Sequence, residues 1–182
     1  MNKVKRVGLA IRHKFLRLSR IYGKNRYNKK AYKYFKDCGI DFDGRPKYIN
    51  YDVDFDLIAP EKIHIGENTV IAKQTLILVH DYSIQCGLEA IGQHNKEYEV
   101  QFLKDVYIGK NSFVGARCII LPGTKIGNNC IVGAGSVVSG EIPDNSVIAG
   151  NPARFICKTA EWAWKKLEKN EFVYGAKNGE RR

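Results

Sequence analysis

The sequence predicts an all-β solenoid, a parallel β-helix of hexapeptide repeats with N-terminal and C-terminal helical extensions. The main observation is a six-residue period of Ile and Val, which neither an α-helix nor an ordinary strand produces. The period runs without a break through Ile108, Val114, Ile120, Ile126, Val132 and Val138. Hexapeptide periods are the signature of a parallel β-helix, in which stacked coils bury a column of side chains.

The corners of the predicted coils are marked by a second feature, a small residue four positions after each anchor. The small residues are Ser112, Cys118, Thr124, Cys130 and Ser136. A β-branched anchor followed by a small residue fits a coil of three short strands and three tight corners, with about 18 residues per coil. We therefore expect the small side chains to point inward at the corners.

The period begins earlier, at Ile65, Ile71 and Ile77, and is interrupted before it resumes at Ile108. The separation of Ile77 from Ile108 is not a multiple of six. An irregular loop at about 82–104 is therefore predicted inside a β-helix domain of residues 38–157.

Helical extensions are predicted on both sides of this domain. Residues 1–37 form a basic amphipathic arm, in which apolar residues recur at steps of three and four. Residues 1–36 carry 13 Lys or Arg and no acid, whereas the remainder has a net charge of −2. Residues 158–182 are predicted to form a C-terminal helix and tail.

Composition excludes several classes of protein. No run of about 18 apolar residues predicts a membrane span, and the basic N-terminus lacks the apolar core of a signal peptide. The five cysteines are odd in number and include no C-x-x-C pair. This pattern favours reduced thiols and a cytoplasmic location. The basic arm extends that expectation to the inner face of the membrane. No metal site is expected.

Three stretches resemble a known family: "IHIGENTVIAKQTLILVHD", "VYIGKNSFVGARCIILPGTKIGNNCIVGAGSVVSGEIPDNSVIAGNPARFI" with its closing "AGNPAR", and the irregular loop between them. They are similar to the hexapeptide-repeat acyltransferases, in the branch of the sugar and polysaccharide O-acetyltransferases that includes maltose and galactoside acetyltransferase. The resemblance implies a left-handed parallel β-helix. It also implies an acetyl-CoA-dependent O-acetyltransferase that acts on a sugar or glycan hydroxyl, assembled as a homotrimer with each site between two chains.

The candidate general base is His80, which stands where the repeat breaks and matches the position of the family's catalytic histidine. A positioned histidine can remove the proton of an attacking alcohol. Its other ring nitrogen needs a hydrogen-bond acceptor that fixes the tautomer, and Asp81 is a candidate by adjacency only. Adjacent side chains of an extended segment point to opposite faces, so Asp81 could instead bind the acceptor. The resemblance places Asp52 and Asp54 near the acceptor pocket.

Coenzyme A contacts are also implied by the resemblance. The backbone at Ala116 and Ala134 matches the groove for the pantetheine arm, and Arg154 matches a basic residue near the nucleotide phosphates. The family often has a second basic residue where this chain has Cys157, and Lys158 is the candidate substitute.

Other functions stay open at this point. An amino-sugar N-acetyltransferase and a non-catalytic β-helix scaffold share the fold, and the sequence does not separate N-transfer from O-transfer. A γ-carbonic-anhydrase-like enzyme needs three converging histidines, but His64, His80 and His94 lack the closely spaced pair. The basic arm could contact an anionic membrane that carries a lipid-linked glycan, or pack on its own trimer. Nucleic acid is not favoured as a partner, because no nucleic-acid motif accompanies the arm.

Overall fold

A computed structural model describes residues 3–19, 23–170 and 172–174. In these ranges most strands belong to three sheets, called A, B and C. Sheet A contains β1 (Asp41–Asp43), β4 (Ile63–Gly66), β9 (Val106–Ile108), β12 (Lys125–Ile126) and β15 (Glu141–Ile142). Sheet B contains β2 (Tyr48–Ile49), β5 (Val70–Ile71), β10 (Phe113–Val114), β13 (Ile131–Val132), β16 (Ser146–Gly150) and β17 (Ala153–Lys158). Sheet C contains β3 (Asp54–Phe55), β6 (Leu76–Ile77), β11 (Ile119–Ile120) and β14 (Val137–Val138).

Successive strands go to sheets A, B and C in turn, and each pairs in parallel with the strand one coil away. Phe113 pairs with Ile131, and Tyr107 with Lys125, so each of these coils is three hexads long. The predicted parallel solenoid and its coil length are therefore confirmed. β17 differs, because it folds back antiparallel on β16.

The core is the column of anchors that the six-residue period predicts. Ile71, Ile77, Val114 and Ile120 are each 0% exposed. The small corner residues are buried as expected, and their polar atoms bond to carbonyl oxygens at the corners. Thr124, for example, donates its hydroxyl to the carbonyls of Leu121 (2.6 Å) and Val138 (3.1 Å). A small polar residue fits here because it satisfies carbonyl groups that would otherwise be buried without a partner.

The predicted loop leaves the solenoid at the corner between sheets C and A. It contains β7 (His80–Asp81), α3 (Ser83–Ala90) and β8 (Phe102–Leu103), and β7 and β8 pair antiparallel. Val70 and its partner Phe113 lie much further apart in the chain than three hexads, because this coil includes the whole excursion. β9 then resumes the stack beside β4.

The N-terminal arm forms two helices, α1 (Lys3–Leu18) and α2 (Lys24–Cys38). Helix α2 buries Tyr27, Ala31 and Phe35, and the Tyr27 hydroxyl donates to the Ile49 carbonyl of β2 at 2.6 Å. The arm therefore packs on the first coil and covers that end of the solenoid. None of the helices in the described ranges is long and apolar enough to cross a membrane.

The C-terminal extension begins with α4 (Thr159–Glu168). Thr159 donates its hydroxyl to the Asn129 carbonyl at 2.8 Å, which ties the start of the helix to the last coils. Most of the predicted tail, residues 175–182, lies outside the described residues.

Candidate active site

His80 lies on β7, at the point where the chain leaves the solenoid. Its Nδ1 atom forms a short hydrogen bond with Oδ2 of Asp56, which follows β3 at the same corner of an earlier coil. The His80 side chain is 22% exposed and that of Asp56 is 5% exposed. One edge of the imidazole is therefore exposed to solvent, whereas the carboxylate behind it is buried.

Three backbone N–H groups hold the Asp56 carboxylate. Oδ2 accepts from Val79 (3.1 Å) and His80 (3.2 Å), and Oδ1 accepts from Ile58 (3.2 Å). Burial by itself would raise the pKa of Asp56, but the hydrogen bonds from His80, Val79 and Ile58 outweigh it and lower the pKa. Asp56 is therefore ionised at neutral pH and acts only as an acceptor.

The charge state of Asp56 determines the tautomer of His80. An ionised carboxylate has no proton to donate, so Nδ1 must carry the hydrogen. In the neutral imidazole Nε2 then keeps its lone pair, and no protein donor or acceptor bonds Nε2 within the described part of the chain. The arrangement suits a general base whose conjugate acid is stabilised by a buried carboxylate.

Asp81 does not hold the imidazole. Its Oδ1 accepts from the Ser83 N–H at 2.6 Å, next to the start of α3, and this hydrogen bond is the main cause of its lowered pKa. The role that adjacency suggested for Asp81 therefore falls to Asp56, because neighbouring side chains of a strand point apart. A contact between Asp81 and the acceptor stays a prediction.

Asp52 and Asp54 are placed differently from each other. Asp52 is half-buried at the corner between sheets B and C, where its Oδ1 accepts from the Gln74 N–H at 3.2 Å. Asp54 is exposed on β3 and pairs with Leu76 across the sheet. Asp54 is therefore two residues from Asp56 along the chain, whereas Asp52 lies at a different corner from His80.

Ala116 and Ala134, whose backbone is predicted to bind coenzyme A, lie along the corner between sheets B and C, the same corner as Asp52. Ala116 and Ala134 occupy the same place on successive coils, three hexads apart, and the Ala116 carbonyl accepts from the Gly135 N–H at 2.8 Å. The next turn adds Ala149, which pairs with Arg154 of β17.

The basic residues predicted for the phosphates are both exposed on β17. Arg154 bonds its own neighbour's carbonyl, at 3.1 Å, and has no carboxylate partner among the described residues. Lys158 lies 5.7 Å above the Phe155 ring. Arg154 thus lies at the same corner as the two alanines. Lys158 pairs with Ser146 at the opposite end of β16, near the corner between sheets A and B, and His80 lies at the third corner, between sheets C and A.

The insertion forms an open cavity, and one of its lining residues, Tyr82, contacts the imidazole. Tyr82 meets the His80 ring edge-on, with 5.8 Å between the ring centroids. Tyr82, Gln85, Cys86 and Glu99 line a cavity of about 350 Å³. This cavity has polar and aromatic walls, which suit a hydroxylated ligand.

The other histidines of the β-helix domain are held by carboxylates of their own. His64 contacts Asp41 (2.7 Å) and Asp105 (3.2 Å), and His94 contacts Glu89 (2.7 Å). In the described ranges no group of three His, Cys, Asp or Glu residues is arranged to hold a metal ion.

Comparison with known proteins confirms the resemblance. Residues 105–140 match the family model described as bacterial transferase hexapeptide (six repeats). The matched segment contains the coils from β9 to β14.

Relatives extend the similarity beyond the repeats. YvoF of Bacillus subtilis (strain 168), named as an inferred acetyltransferase, is 38% identical over 115 residues, or 63% of this chain and 58% of the relative. Galactoside O-acetyltransferase of Escherichia coli (strain K12) is 32% identical over 113 residues, or 62% of this chain and 51% of the relative. The chain thus spans about half to three fifths of these curated relatives.

A solved structure covers more of the chain. The maltose O-acetyltransferase from Clostridium difficile 630 is 25% identical, with a TM-score of 0.53, over 82% of this chain and 87% of that one. The similarity therefore includes regions on both sides of the repeat segment.

Proposed function

We propose that the protein is a coenzyme A-dependent O-acetyltransferase that moves the acetyl group of acetyl-CoA to a hydroxyl of a sugar or glycan precursor, on a left-handed parallel β-helix. The observation that carries the proposal is the His80–Asp56 pair, an exposed imidazole edge backed by a buried, ionised carboxylate. The similarity to sugar O-acetyltransferases supports the choice of reaction.

In the proposed reaction the acceptor oxygen attacks the acetyl carbonyl carbon while its proton moves to Nε2 of His80. Asp56 stabilises the resulting imidazolium through Nδ1. The carbon–sulfur bond then breaks, and the proton on Nε2 passes to the departing sulfur, so the products are the acetyl ester and the thiol of coenzyme A. Such a base accelerates transfer by roughly 10²–10⁴-fold.

Acetyl-CoA is proposed to lie along the Ala116–Ala134 corner. Gly115 and Gly133 precede the two alanines and let the backbone of neighbouring coils pack closely. Arg154 provides an exposed cation at the end of this corner for the nucleotide phosphates, where charge-assisted hydrogen bonds are strong. Lys158, exposed at the opposite end of β17, is proposed as a second cation for the same phosphates.

The complete site is proposed to form between chains of a homotrimer. His80 and the Ala116–Ala134 corner lie on different edges of the same solenoid, since one follows sheet C and the other follows sheet B. A neighbouring chain that brings its own Ala116–Ala134 corner beside His80 would complete the site. Cyclic symmetry repeats that arrangement at every interface.

The acceptor is proposed to occupy the cavity of the insertion, with Asp81, which precedes Tyr82 in the chain, as a contact. Asp54 lines a separate groove beside the N-terminal arm, and its contact with the acceptor stays a proposal. The aromatic ring of Tyr82 can stack on a sugar face, and Gln85 and Glu99 can bond hydroxyl groups. The free thiols of the described cysteines suit a reducing compartment, so we propose that the enzyme acts in the cytoplasm.

His80→Ala tests the proposed base. We expect turnover to fall at least about 100-fold while acetyl-CoA binding, measured by calorimetric titration, stays near that of the parent. The matched control is His64→Ala, which removes another partly exposed, carboxylate-bonded histidine from sheet A. Equal turnover in His80→Ala and parent would refute the assignment of the base.

Mixing two inactive variants tests the shared site. His80→Ala and Arg154→Glu are each expected to be impaired, and mixed trimers would regain sites that combine an intact His80 with an intact Arg154. Failure of the mixture to exceed either variant would argue for a site within one chain.

The acceptor screen separates the alternatives. Free sugars, lipid-linked glycan precursors and amino sugars are offered with acetyl-CoA, and product esters and amides are distinguished by alkaline hydrolysis. Amide products alone would assign an N-acetyltransferase, and a protein that binds no acyl-CoA would be a scaffold.

A further inference from the structure

The first helix directs its apolar stripe away from the protein. Ile11, Phe15 and Leu18 recur at steps of four and three on one side of α1, and they are 52%, 64% and 53% exposed. Two residues outside the stripe face the rest of the protein: Leu16 is 3% exposed, and His13 Nε2 lies 2.7 Å from the Tyr51 carbonyl oxygen. The stripe is therefore not used to pack the arm on the solenoid.

Cations lie directly beside this stripe. Phe15, Lys30 and Lys33 line the same groove between α1 and α2, and both lysines are exposed. Neither lysine forms an ion pair with another residue of the described ranges. We call Ile11, Phe15, Leu18, Lys30 and Lys33 the arm face.

The charge of the surrounding chain is not balanced locally. Residues 1–36 contain 13 Lys or Arg and no acid. Asp37 is the first acid in the sequence, and it is bonded to Arg12 at 2.8 Å. An exposed apolar stripe with a positively charged border is typical of a helix that lies in the plane of a membrane surface.

We propose that the arm face binds an anionic bilayer surface, with the apolar stripe in the interfacial region and the lysines on lipid phosphates. Charge complementarity favours this occupant over a second copy of the chain, because residues 1–36 carry 13 Lys or Arg and no acid, whereas the remainder of the chain has a net charge of only −2. The apolar stripe favours a bilayer over nucleic acid, because a phosphate backbone attracts cations but offers no apolar surface to three exposed hydrophobic side chains. The proposal does not depend on the catalytic assignment.

Vesicle co-sedimentation with the full chain tests the proposal. We expect binding to vesicles of phosphatidylcholine with phosphatidylglycerol, no binding to phosphatidylcholine alone, and weaker binding as salt is raised. Removing one cation is expected to weaken binding about fivefold, so Lys30→Gln with Lys33→Gln should weaken it about 25-fold. Phe15→Ser should weaken it about tenfold or more.

The matched control removes the same charge from another helix. Lys165→Gln with Lys169→Gln takes two exposed lysines from α4 and its C-terminal cap, and it should leave vesicle binding within about twofold of the parent. Lys165 differs from the lysines of the arm face in being paired with Glu161 at 2.9 Å. Because the changed side chains are exposed, circular dichroism and the thermal midpoint should stay unchanged in every variant, which separates lost binding from unfolding.

Four outcomes would overturn the proposal. The first is no binding to anionic vesicles, and the second is an equal loss in the α4 control, which would indicate attraction by net charge alone. The third is a lower assembly mass of Phe15→Ser in light scattering, which would assign the stripe to a second copy. The fourth is binding of single-stranded RNA, but not vesicles, that Phe15→Ser leaves intact. Acetyl transfer to a soluble acceptor is measured in parallel, so failure of the arm proposal is distinguishable from failure of the enzyme proposal.

Discussion

Asp56→Asn removes the charge behind His80 and keeps the shape of the side chain. Asp56 accepts four hydrogen bonds: Nδ1 of His80 and the N–H groups of Val79 and His80 donate to Oδ2, and the N–H of Ile58 donates to Oδ1. An asparagine has one oxygen and one NH₂ group in their place. In either orientation, therefore, the NH₂ group of the asparagine faces at least one N–H group that donated a hydrogen bond to Asp56.

The two orientations have different consequences. With its oxygen toward His80, the amide turns its NH₂ to the Ile58 N–H and leaves one buried donor contact unsatisfied. With its NH₂ toward His80, it faces the N–H of Val79 and His80, and Nδ1 can bond only as an acceptor. That second arrangement moves the ring hydrogen to Nε2, the atom proposed to take the proton.

The expected magnitude follows from these losses. We expect kcat/KM to fall by about 10²–10⁴-fold, since the variant loses both the tautomer and the charge that stabilises the imidazolium. The free energy of unfolding should fall by about 1–3 kcal/mol, the cost of an unsatisfied buried donor. The assay is acetyl transfer from acetyl-CoA, with calorimetric titration to check that donor binding persists and chemical unfolding to check stability.

Asp54→Asn is the matched control for stability, because it changes an exposed carboxylate two residues away along the chain. Its free energy of unfolding should stay within about 0.5 kcal/mol of the parent. A double variant adds a stronger test: in a His80→Ala background, Asp56→Asn should reduce turnover little further, because both residues act through one imidazole. Full turnover in Asp56→Asn, or fully additive losses, would refute the reasoning.

Three further predictions concern the fold. Ile71→Ala, at a fully buried anchor, should lower the free energy of unfolding by about 2–5 kcal/mol in a urea titration. Gly115→Ala should lower it by about 1–3 kcal/mol, because the added Cβ would meet the Ala134 backbone nitrogen at 2.6 Å, whereas Gly87→Ala, in open space on α3, should raise it by up to about 1 kcal/mol. The pKa of Asp56 is lowered from 3.8, so the stability it contributes is complete above that pH and is lost as the pH falls toward the lowered value; the urea midpoint should therefore fall less between pH 7 and pH 3 in Asp56→Asn than in the parent.

The six-residue period alone was sufficient to predict the solenoid. It works because most strands are very short, so packing inside the coil depends on one anchor per side. The same regularity located the insertion, since a gap that is not a multiple of six must leave the stack. It also showed that His80 stands where the excursion begins, and the resemblance to the acyltransferase family made this histidine the candidate base.

The partner of His80 could not be found from the same period. Regular coils repeat every three hexads, but Asp54 pairs with Leu76, and the separation of these two positions is not a multiple of six. The first coil is longer because its last corner contains a short 3₁₀ turn at Pro60–Lys62. A residue-counting argument from the regular repeats therefore does not bring Asp56 to His80, and sequence adjacency pointed to Asp81 instead.

The sequence by itself determined the class of architecture, the place of the insertion, the candidate base and the uneven charge, because all four are properties of residues near one another in the chain. Only the tertiary structure decided which carboxylate holds His80, because that contact depends on the stacking register of an irregular coil. It also decided that the apolar stripe of α1 faces outward, since periodicity shows that a helix has two faces but not which of them meets the core. The separation of His80 from the Ala116–Ala134 corner is likewise decided by the tertiary structure. The chain passes through sheets A, B and C in each coil, and a local sequence pattern does not show which corner of the coil a residue occupies.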